Sequence, residues 1–156
     1  LASTRSIEHF YCPACGDYTR FPRFHSLARI IASGRGRCGE YSCLWYVLGQ
    51  ALGYQTRWVV DWLDHVWIEV KIQGAWVHID PCEAAFQDKM MYSGWGKKHT
   101  YVVAFSRDGV EDVTSDYCDD MEACRGRRDL SEPEFAKELD KARATLAREV
   151  EQSLVG

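Results

Sequence analysis

The pattern of apolar and polar positions predicts one long helix near the first third of the chain. Between Gly39 and Leu52 the apolar residues recur with helical periodicity, at Cys43, Leu44, Val47, Leu48, Ala51 and Leu52. Gly53 then suits the residue that ends a helix. We therefore predict a helix over 38–52, directly after the glycine- and arginine-rich segment SGRGR.

The segments that follow are rich in β-branched and aromatic residues, which is typical of strands. Three of them, TRWVVDW, HVWIEVKI and AWVHID, are separated by Asp64 and by the pair Gln73-Gly74. Two more, TYVVAFS and VEDVT, flank Asp108-Gly109 and predict a further hairpin. The sequence therefore predicts an antiparallel meander after the helix.

The last part of the chain has the pattern of a charged, amphipathic helix. Ser131 and Glu134 have the spacing of a capping box. The apolar residues beyond them fall on one stripe, formed by Phe135, Leu139, Ala142, Leu146 and Val150. We predict a C-terminal helix over 131–152.

Composition and charge narrow the classes of function. Of the 156 residues, 46% are hydrophobic and 13% aromatic, which indicates a folded domain. A net charge of −4 gives no basis for nucleic-acid binding, and no apolar run approaches the ~20 residues of a membrane helix. Seven cysteines, an odd number, favour free thiols, metal ligands or catalysis in a reducing compartment. Because the sequence begins with Leu1 rather than Met, we expect a piece of a longer chain.

The register of the predicted hairpin brings a histidine and an aspartate to one face of the sheet. A two-residue turn at Gln73-Gly74 pairs Glu69 with His78. Side chains alternate along strands, so His65 and Asp80 then share a face and lie diagonally, roughly 7–8 Å apart. That spacing lets the aspartate reach a histidine nitrogen.

A cysteine at the start of the predicted helix completes a set of three. The helix N-terminus and a nearby imidazolium lower the pKa of a thiol, and the thiolate is its reactive form. If the first helical turn packs on the meander, Cys38, His65 and Asp80 are the nucleophile, base and orienting group of acyl transfer. From the pattern alone, a structural thiol and a satisfied His–Asp pair explain the same residues.

Longer motifs resemble a known family. GRCGEYS, DHVWIEV, WVHIDPCE and GWGKKHTYVVAFSRDGVEDVT resemble, in order and spacing, the transglutaminase-like core of the cytosolic peptide:N-glycanases, which are peptide-N4-(N-acetyl-β-glucosaminyl)asparagine amidases. YCPACGDYTRFPRF resembles the segment just before that core. The similarity runs from about Tyr11 to Cys118. Tyr41 departs from the family pattern, which usually has tryptophan there, but it keeps an aromatic ring.

The resemblance implies the fold. It predicts an α+β, papain-like and transglutaminase-like core, in which the nucleophile helix packs on an antiparallel β-sheet. Together with the C-terminal amphipathic helix over 131–152, which its own apolar stripe predicts, this gives a single catalytic domain over 1–156, with a zinc-binding lead-in over 11–30 and a catalytic core over 33–118.

The resemblance also implies the reaction. It predicts hydrolysis of the amide bond between an N-linked glycan and an asparagine side chain, which gives aspartate and free glycan. Cys38 is then the nucleophile, His65 the acid and base, and Asp80 its orienting partner. The alternatives are a transglutaminase or thiol protease with the same triad, or a non-catalytic glycoprotein-binding or scaffold module.

The substrate residues follow from the same resemblance. Trp67, Glu69, Trp76 and Glu83 are expected to line the cleft for the chitobiose end of the glycan, because aromatic faces and carboxylates suit sugars. The two tryptophans could instead be a cross-strand core pair. Arg57 is expected to be an ion-pair partner of the acids.

The motif Cys12-x-x-Cys15 has the spacing of half a zinc site. The resemblance implies a structural zinc ion, whose second Cys-x-x-Cys pair is absent from this sequence. Cys118 and Cys124 could supply ligands, although their spacing is unusual. A thioredoxin-like redox motif fits less well, since no βαβ pattern surrounds it.

The resemblance finally implies a cellular setting. The expected partners are misfolded N-glycoproteins, recognised at the chitobiose end of high-mannose glycans, together with proteasome-shuttle and unfoldase proteins. Neither nucleic acid nor membrane insertion is expected. The expected location is the cytoplasm, and also the nucleus, in the degradation of proteins exported from the endoplasmic reticulum.

Overall fold

The computed structural model describes residues 4–155, and the ends of the predicted domain, 1–3 and 156, lie outside this range. The strands are β1 (Thr4–Tyr11), β2 (Tyr18–Phe24), β3 (Thr56–Asp61), β4 (His65–Ile72), β5 (Ala75–Asp80), β6 (Ala85–Phe86), β7 (Val102–Ser106) and β8 (Gly109–Asp112). The helices are α1 (Leu27–Ser33), α2 (Cys38–Ala51), α3 (Met91–Gly94), α4 (Thr114–Tyr117), α5 (Met121–Gly126) and α6 (Glu132–Val155). Within 4–155, none of these helices combines the length and apolar character needed to cross a membrane.

Six strands form one antiparallel sheet in the order β6-β5-β4-β3-β7-β8. The register of β4 and β5 is the predicted one, since Glu69 pairs with His78 and Ile72 with Ala75. Gln73 and Gly74 both have positive φ, at 50° and 85°. A turn of this kind matches the right-handed twist of the two strands. The meander and the α+β fold are therefore confirmed.

Helix α2 packs against the middle of this sheet, on β3 and β4. The hydroxyl of Ser42 donates a hydrogen bond to the carbonyl of Val66 at 3.0 Å. Gly49 allows the close approach, because a Cβ there would lie 2.4 Å from Cγ2 of Thr56. The helix begins at Cys38, as predicted, and its first turn therefore adjoins the start of β4.

Two apolar clusters hold the layers together. One packs β3, β4 and β7 against the short helices and contains Val59, Trp67, Tyr92, Val102, Ala104, Val113 and Tyr117. The other packs β7 and β8 against α6 and contains Tyr101, Val103, Val110 and Phe135, with Leu139, Ala142 and Leu146 against it. The predicted C-terminal helix thus lays its apolar stripe on the sheet.

The hairpin β1-β2 stands apart from the large sheet and was not predicted as strands. It is tied to the start of α2 by a bidentate ion pair. Arg23 donates from Nε to Oε1 of Glu40 at 2.6 Å and from Nη2 to Oε2 at 2.9 Å. The same carboxylate accepts the backbone N–H of Arg37 at 3.0 Å, which satisfies a donor at the helix N-terminus. Glu8 bonds to both arginines.

Replacing Phe135 with alanine tests how firmly α6 is docked. The Phe135 ring is buried and lies 4.6 Å from the ring of Tyr101. We expect Phe135→Ala to lower the free energy of unfolding by about 3 kcal/mol, through lost burial and a residual cavity. Urea denaturation measures this change. The exposed Lys137→Ala on the same helix is the control and should change stability by less than about 0.5 kcal/mol. Equal effects of the two substitutions would show that α6 is not docked on the sheet.

Candidate active site

Cys38, His65 and Asp80 come together where α2 meets the sheet. Cys38 is the first residue of α2 and is half-buried. The His65 imidazole lies next to its thiol and is the largest influence on the pKa of Cys38, which it lowers. His65 Nε2 lies 2.6 Å from Oδ2 of Asp80, which leaves the other ring nitrogen, Nδ1, for Cys38. The structure thus places the three predicted residues in the order nucleophile, base and orienting carboxylate.

The contacts within this triad favour a thiolate–imidazolium pair. The adjacent His65 imidazole lowers the pKa of Cys38, and the backbone N–H groups of Val66 and Gly39 act in the same direction. Burial lowers the pKa of His65, but the bonds to Asp80 and Cys38 outweigh burial and raise this pKa to about 9. The pair therefore forms above the lowered pKa of Cys38 and is lost as the pH rises through about 9.

Asp80 is fully buried, and each of its carboxylate oxygens has donors. Oδ1 accepts the backbone N–H groups of Cys82 and Glu83 at 3.0 and 3.2 Å. Oδ2 accepts a hydrogen bond from His65 and another from the hydroxyl of Tyr92 at 2.9 Å. Burial alone would raise the pKa of Asp80, but the bond with His65 and these further donors hold it below its usual value. The carboxylate is therefore charged and fixed in orientation.

Two of the predicted substrate residues are buried in the core. Trp67 is 0% exposed, donates from Nε1 to the hydroxyl of Tyr117 at 2.8 Å, and stacks on Tyr92. Glu69 is also 0% exposed; it accepts the Tyr117 hydroxyl at 2.7 Å and forms an ion pair with Arg57. Neither side chain offers surface to a ligand in this structure. Arg57 takes the predicted role of an ion-pair partner.

The other two predicted substrate residues are accessible. Trp76 is partly exposed, and the Arg57 guanidinium lies 4.4 Å from its ring centre. It therefore forms no core pair with Trp67. Glu83 is exposed and follows Asp80 by three residues in the turn after β5. Sequence reasoning missed Trp95, which is 50% exposed and has its ring centre 6.0 Å from that of His65.

The predicted metal residues lie at the tip of the hairpin β1-β2. Cys12 and Cys15 are both exposed. The nearby backbone N–H groups of Cys15 and Ala14 lower the pKa of Cys12, with that of Cys15 the larger influence. This arrangement suits a thiolate ligand. Among residues 4–155, however, no three His, Cys, Asp or Glu side chains are grouped as a metal site requires, so Cys118 and Cys124 do not complete this one.

One apolar cavity is separate from the triad. It has a volume of about 610 Å³ and lies between β2, α2 and α6, where Tyr46, Trp58 and Leu146 contribute to its lining. None of the triad residues lines it. The triad and not this cavity is the candidate active site, because the triad provides a nucleophile with its base.

Thiol alkylation tests the electrostatics of the triad. Burial raises the pKa of Cys43, and burial raises that of Cys82 to about 11, whereas that of Cys38 is lowered. Near pH 7, iodoacetamide should therefore modify Cys38 about tenfold or more faster than either, as followed by peptide mass spectrometry. His65→Ala should remove the difference, while the exposed control His9→Ala should preserve it. A Cys38 that reacts no faster than Cys43 would contradict the assigned pair.

Comparisons with known proteins agree with this geometry. The sequence model described as "Transglutaminase-like superfamily" matches residues 3–81. Three similar proteins bear the name peptide-N(4)-(N-acetyl-beta-glucosaminyl)asparagine amidase. The chain is 41% identical to the one from Gallus gallus over 138 residues, 36% to that from Arabidopsis thaliana over 152, and 44% to that from Yarrowia lipolytica over 113. These alignments cover 86%, 96% and 70% of this chain, but 21%, 21% and 32% of the relatives. The chain belongs to the transglutaminase-like superfamily.

Proposed function

We propose that this chain carries the catalytic core of a peptide-N4-(N-acetyl-β-glucosaminyl)asparagine amidase. Its substrates are misfolded or denatured N-glycoproteins, and it cleaves the amide bond between the asparagine side chain and the glycan. The observation that carries the proposal is the contact sequence from Cys38 through His65 to Asp80. The names of the relatives support the choice of this reaction over other acyl transfers.

The first half of the reaction forms a thioester. The Cys38 thiolate attacks the carbonyl carbon of the asparagine side chain, and negative charge develops on the carbonyl oxygen. The backbone N–H of Cys38, at the start of α2, is a candidate donor to that oxyanion. His65 then gives its proton to the nitrogen as the C–N bond breaks, and the glycan leaves as a glycosylamine.

The second half restores the enzyme. His65, now neutral, takes a proton from water, and the hydroxide attacks the thioester carbonyl. The C–S bond breaks, Cys38 leaves as the thiolate, and the former asparagine is an aspartate. Asp80 stays ionised throughout, because four hydrogen-bond donors surround its carboxylate. Its task is to hold His65 and to stabilise the imidazolium.

We propose that Trp76, Glu83 and Trp95 provide the contacts to the sugar. Their exposure supports this role, and Trp95 also lies beside His65. An aromatic face can pack on the apolar C–H face of a sugar, and a carboxylate accepts bonds from its hydroxyls. Trp67 is buried beside His65, with ring centres 5.8 Å apart, and contributes packing rather than a sugar contact.

A structural zinc ion at the β1-β2 hairpin is part of the proposal. Cys12 and Cys15 would hold it through their thiolates, and a site with four ligands needs two further donors, which no group of His, Cys, Asp or Glu among residues 4–155 supplies. The ion would fix the hairpin tip and takes no part in the reaction. The ion pair between Arg23 and Glu40 would then connect the hairpin to the nucleophile helix.

We place the protein in the cytoplasm and the nucleus, in the degradation of proteins exported from the endoplasmic reticulum. The free thiols support a reducing compartment, since all seven cysteines are unbridged. The proposed partners, proteasome-shuttle and unfoldase proteins, rest on the resemblance to cytosolic peptide:N-glycanases.

Deglycosylation assays with two cysteine variants test the reaction. A denatured high-mannose glycoprotein should lose its glycan and gain aspartate in place of the glycosylated asparagine, as read by peptide mass spectrometry. Cys38→Ala should lose at least about 10³-fold in rate, because the nucleophile is gone. Cys43→Ala removes a thiol of the same helix that is not part of the triad, and it is the matched control, with the rate retained. Formation of an isopeptide bond, or a cut in the peptide backbone, would instead assign a transglutaminase or a thiol protease.

Metal analysis tests the zinc proposal. Protein purified without chelator should contain zinc, because Cys12 is already placed to act as a thiolate. Cys15→Ser should lose the metal, since it removes one of the two hairpin ligands. Cys118→Ser alters a thiol outside the hairpin and should retain it. Absence of zinc from the unaltered protein, or its loss in both variants alike, would contradict the assignment.

A further inference from the structure

A tyrosine and a second histidine extend the triad beneath Asp80. Tyr92 lies in the short helix α3 and is 0% exposed. Its hydroxyl donates to Oδ2 of Asp80 at 2.9 Å, the same oxygen that His65 contacts at 2.6 Å. On its other side, the hydroxyl lies 2.7 Å from Nε2 of His78. One carboxylate oxygen of Asp80 therefore accepts hydrogen bonds from both the His65 imidazole and the Tyr92 phenol.

The direction of these bonds follows from the number of protons available. The single hydroxyl proton of Tyr92 points to Asp80, so His78 must donate its Nε2–H to the phenol oxygen. His78 Nδ1 is buried and has no hydrogen-bond partner among the described residues. A second proton on that nitrogen would be a buried, unpaired donor, and burial lowers the pKa of His78. His78 is therefore a neutral, permanent donor.

We propose that Tyr92, held by His78, is a positioning residue that limits the negative charge which Asp80 presents to His65. A hydrogen bond to a carboxylate oxygen draws charge from it, and a donor that itself accepts a bond is strengthened. His65 must give its proton to the leaving nitrogen, and a histidine held too tightly as imidazolium is a poorer acid. The inference depends on the proposed function in one respect only, namely that His65 gives its proton to the leaving nitrogen.

Few other charged or titratable groups lie near His65, Asp80, Tyr92 and His78. His65 faces Cys38 and Asp80, and Asp80 faces His65 and Tyr92. The remaining neighbours are Glu69, Asp88 and Lys89 around His78, Tyr117 and Glu83 around Tyr92, and Cys82 beside Asp80. Tyr92 is thus the one side chain besides His65 that bonds to Asp80 among residues 6–153.

Titration of His65 by NMR tests the inference. In Tyr92→Phe, Oδ2 of Asp80 keeps only the bond from His65, so the pKa of His65 should rise by about one unit. The His65 resonance is assigned from the spectrum of His65→Gln. Tyr101→Phe is the matched control, because it removes another buried hydroxyl that donates to a carboxylate, that of Asp129 at 2.8 Å. In this control the His65 titration should be unchanged.

Two variants of His78 give an independent test that leaves Tyr92 in place. His78→Leu removes the donor to the phenol and should raise the pKa of His65 by a smaller amount than Tyr92→Phe. His78→Gln retains an N–H donor and should restore most of the original value. Because these variants keep the Tyr92 hydroxyl and its bond to Asp80, the test stands even if Tyr92→Phe fails to fold.

The kinetic signature separates this role from simple support of the fold. With a glycopeptide substrate, Tyr92→Phe should lower kcat with little change in KM. In the profile of kcat against pH, it should move the high-pH limb to higher pH. A lower Tm with an unchanged His65 titration would overturn the inference, as would a downward shift. If the titration shifts but no amidase activity is found in the unaltered protein, the positioning role stands and the proposed function fails.

Discussion

The burial of carboxylates is the constraint on which the rest of this structure depends. Removing a charged group from water is unfavourable unless donors replace the lost hydration. Glu40, Glu69 and Asp80 are all nearly or fully buried, and each is surrounded by dedicated donors. Those donors come from distant parts of the chain. Satisfying the three charges therefore fixes the hairpin, the helix and the sheet relative to one another.

Each carboxylate has a different consequence for the site. Glu40 connects Arg23 of the β1-β2 hairpin to the N-terminus of helix α2, so the hairpin is held next to Cys38. Glu69 bonds to Arg57 and Tyr117, and Tyr117 in turn accepts a hydrogen bond from Trp67, which lies beside His65. Asp80 orients His65 and so determines which nitrogen faces the thiol. The positions of Cys38 and His65 therefore depend on hydrogen bonds that buried carboxylates form.

Much of this arrangement could be predicted from the sequence, because it depends on local signals. The Gln73-Gly74 turn fixes the register of β4 and β5, and that register alone places His65 and Asp80 on one face. The apolar periodicity and the preceding glycines locate Cys38 at the start of a helix. The pattern predicted where Cys38, His65 and Asp80 lie. The resemblance to peptide:N-glycanases predicted which role each of them has in the reaction.

The remaining features depend on tertiary contacts that leave no local signal. The burial of Glu69 requires Tyr117, which lies 48 residues away along the chain, and the link from Tyr92 to Asp80 crosses a loop. Strand β1 escaped prediction because its sequence, TRSIEHFY, lacks a consistent alternation of apolar and polar residues. Exposure, which separates Trp95 from Trp67, is likewise a property of the folded molecule.

The central claim is that Cys38 forms a bond to the asparagine-derived carbonyl carbon. Rapid mixing with excess glycopeptide, followed by acid quench and mass spectrometry, tests it most directly. The account predicts a transient adduct on Cys38 whose mass equals that of the peptide acyl group without its glycan. An adduct that retains the sugar, or turnover with the adduct on another residue, would contradict it.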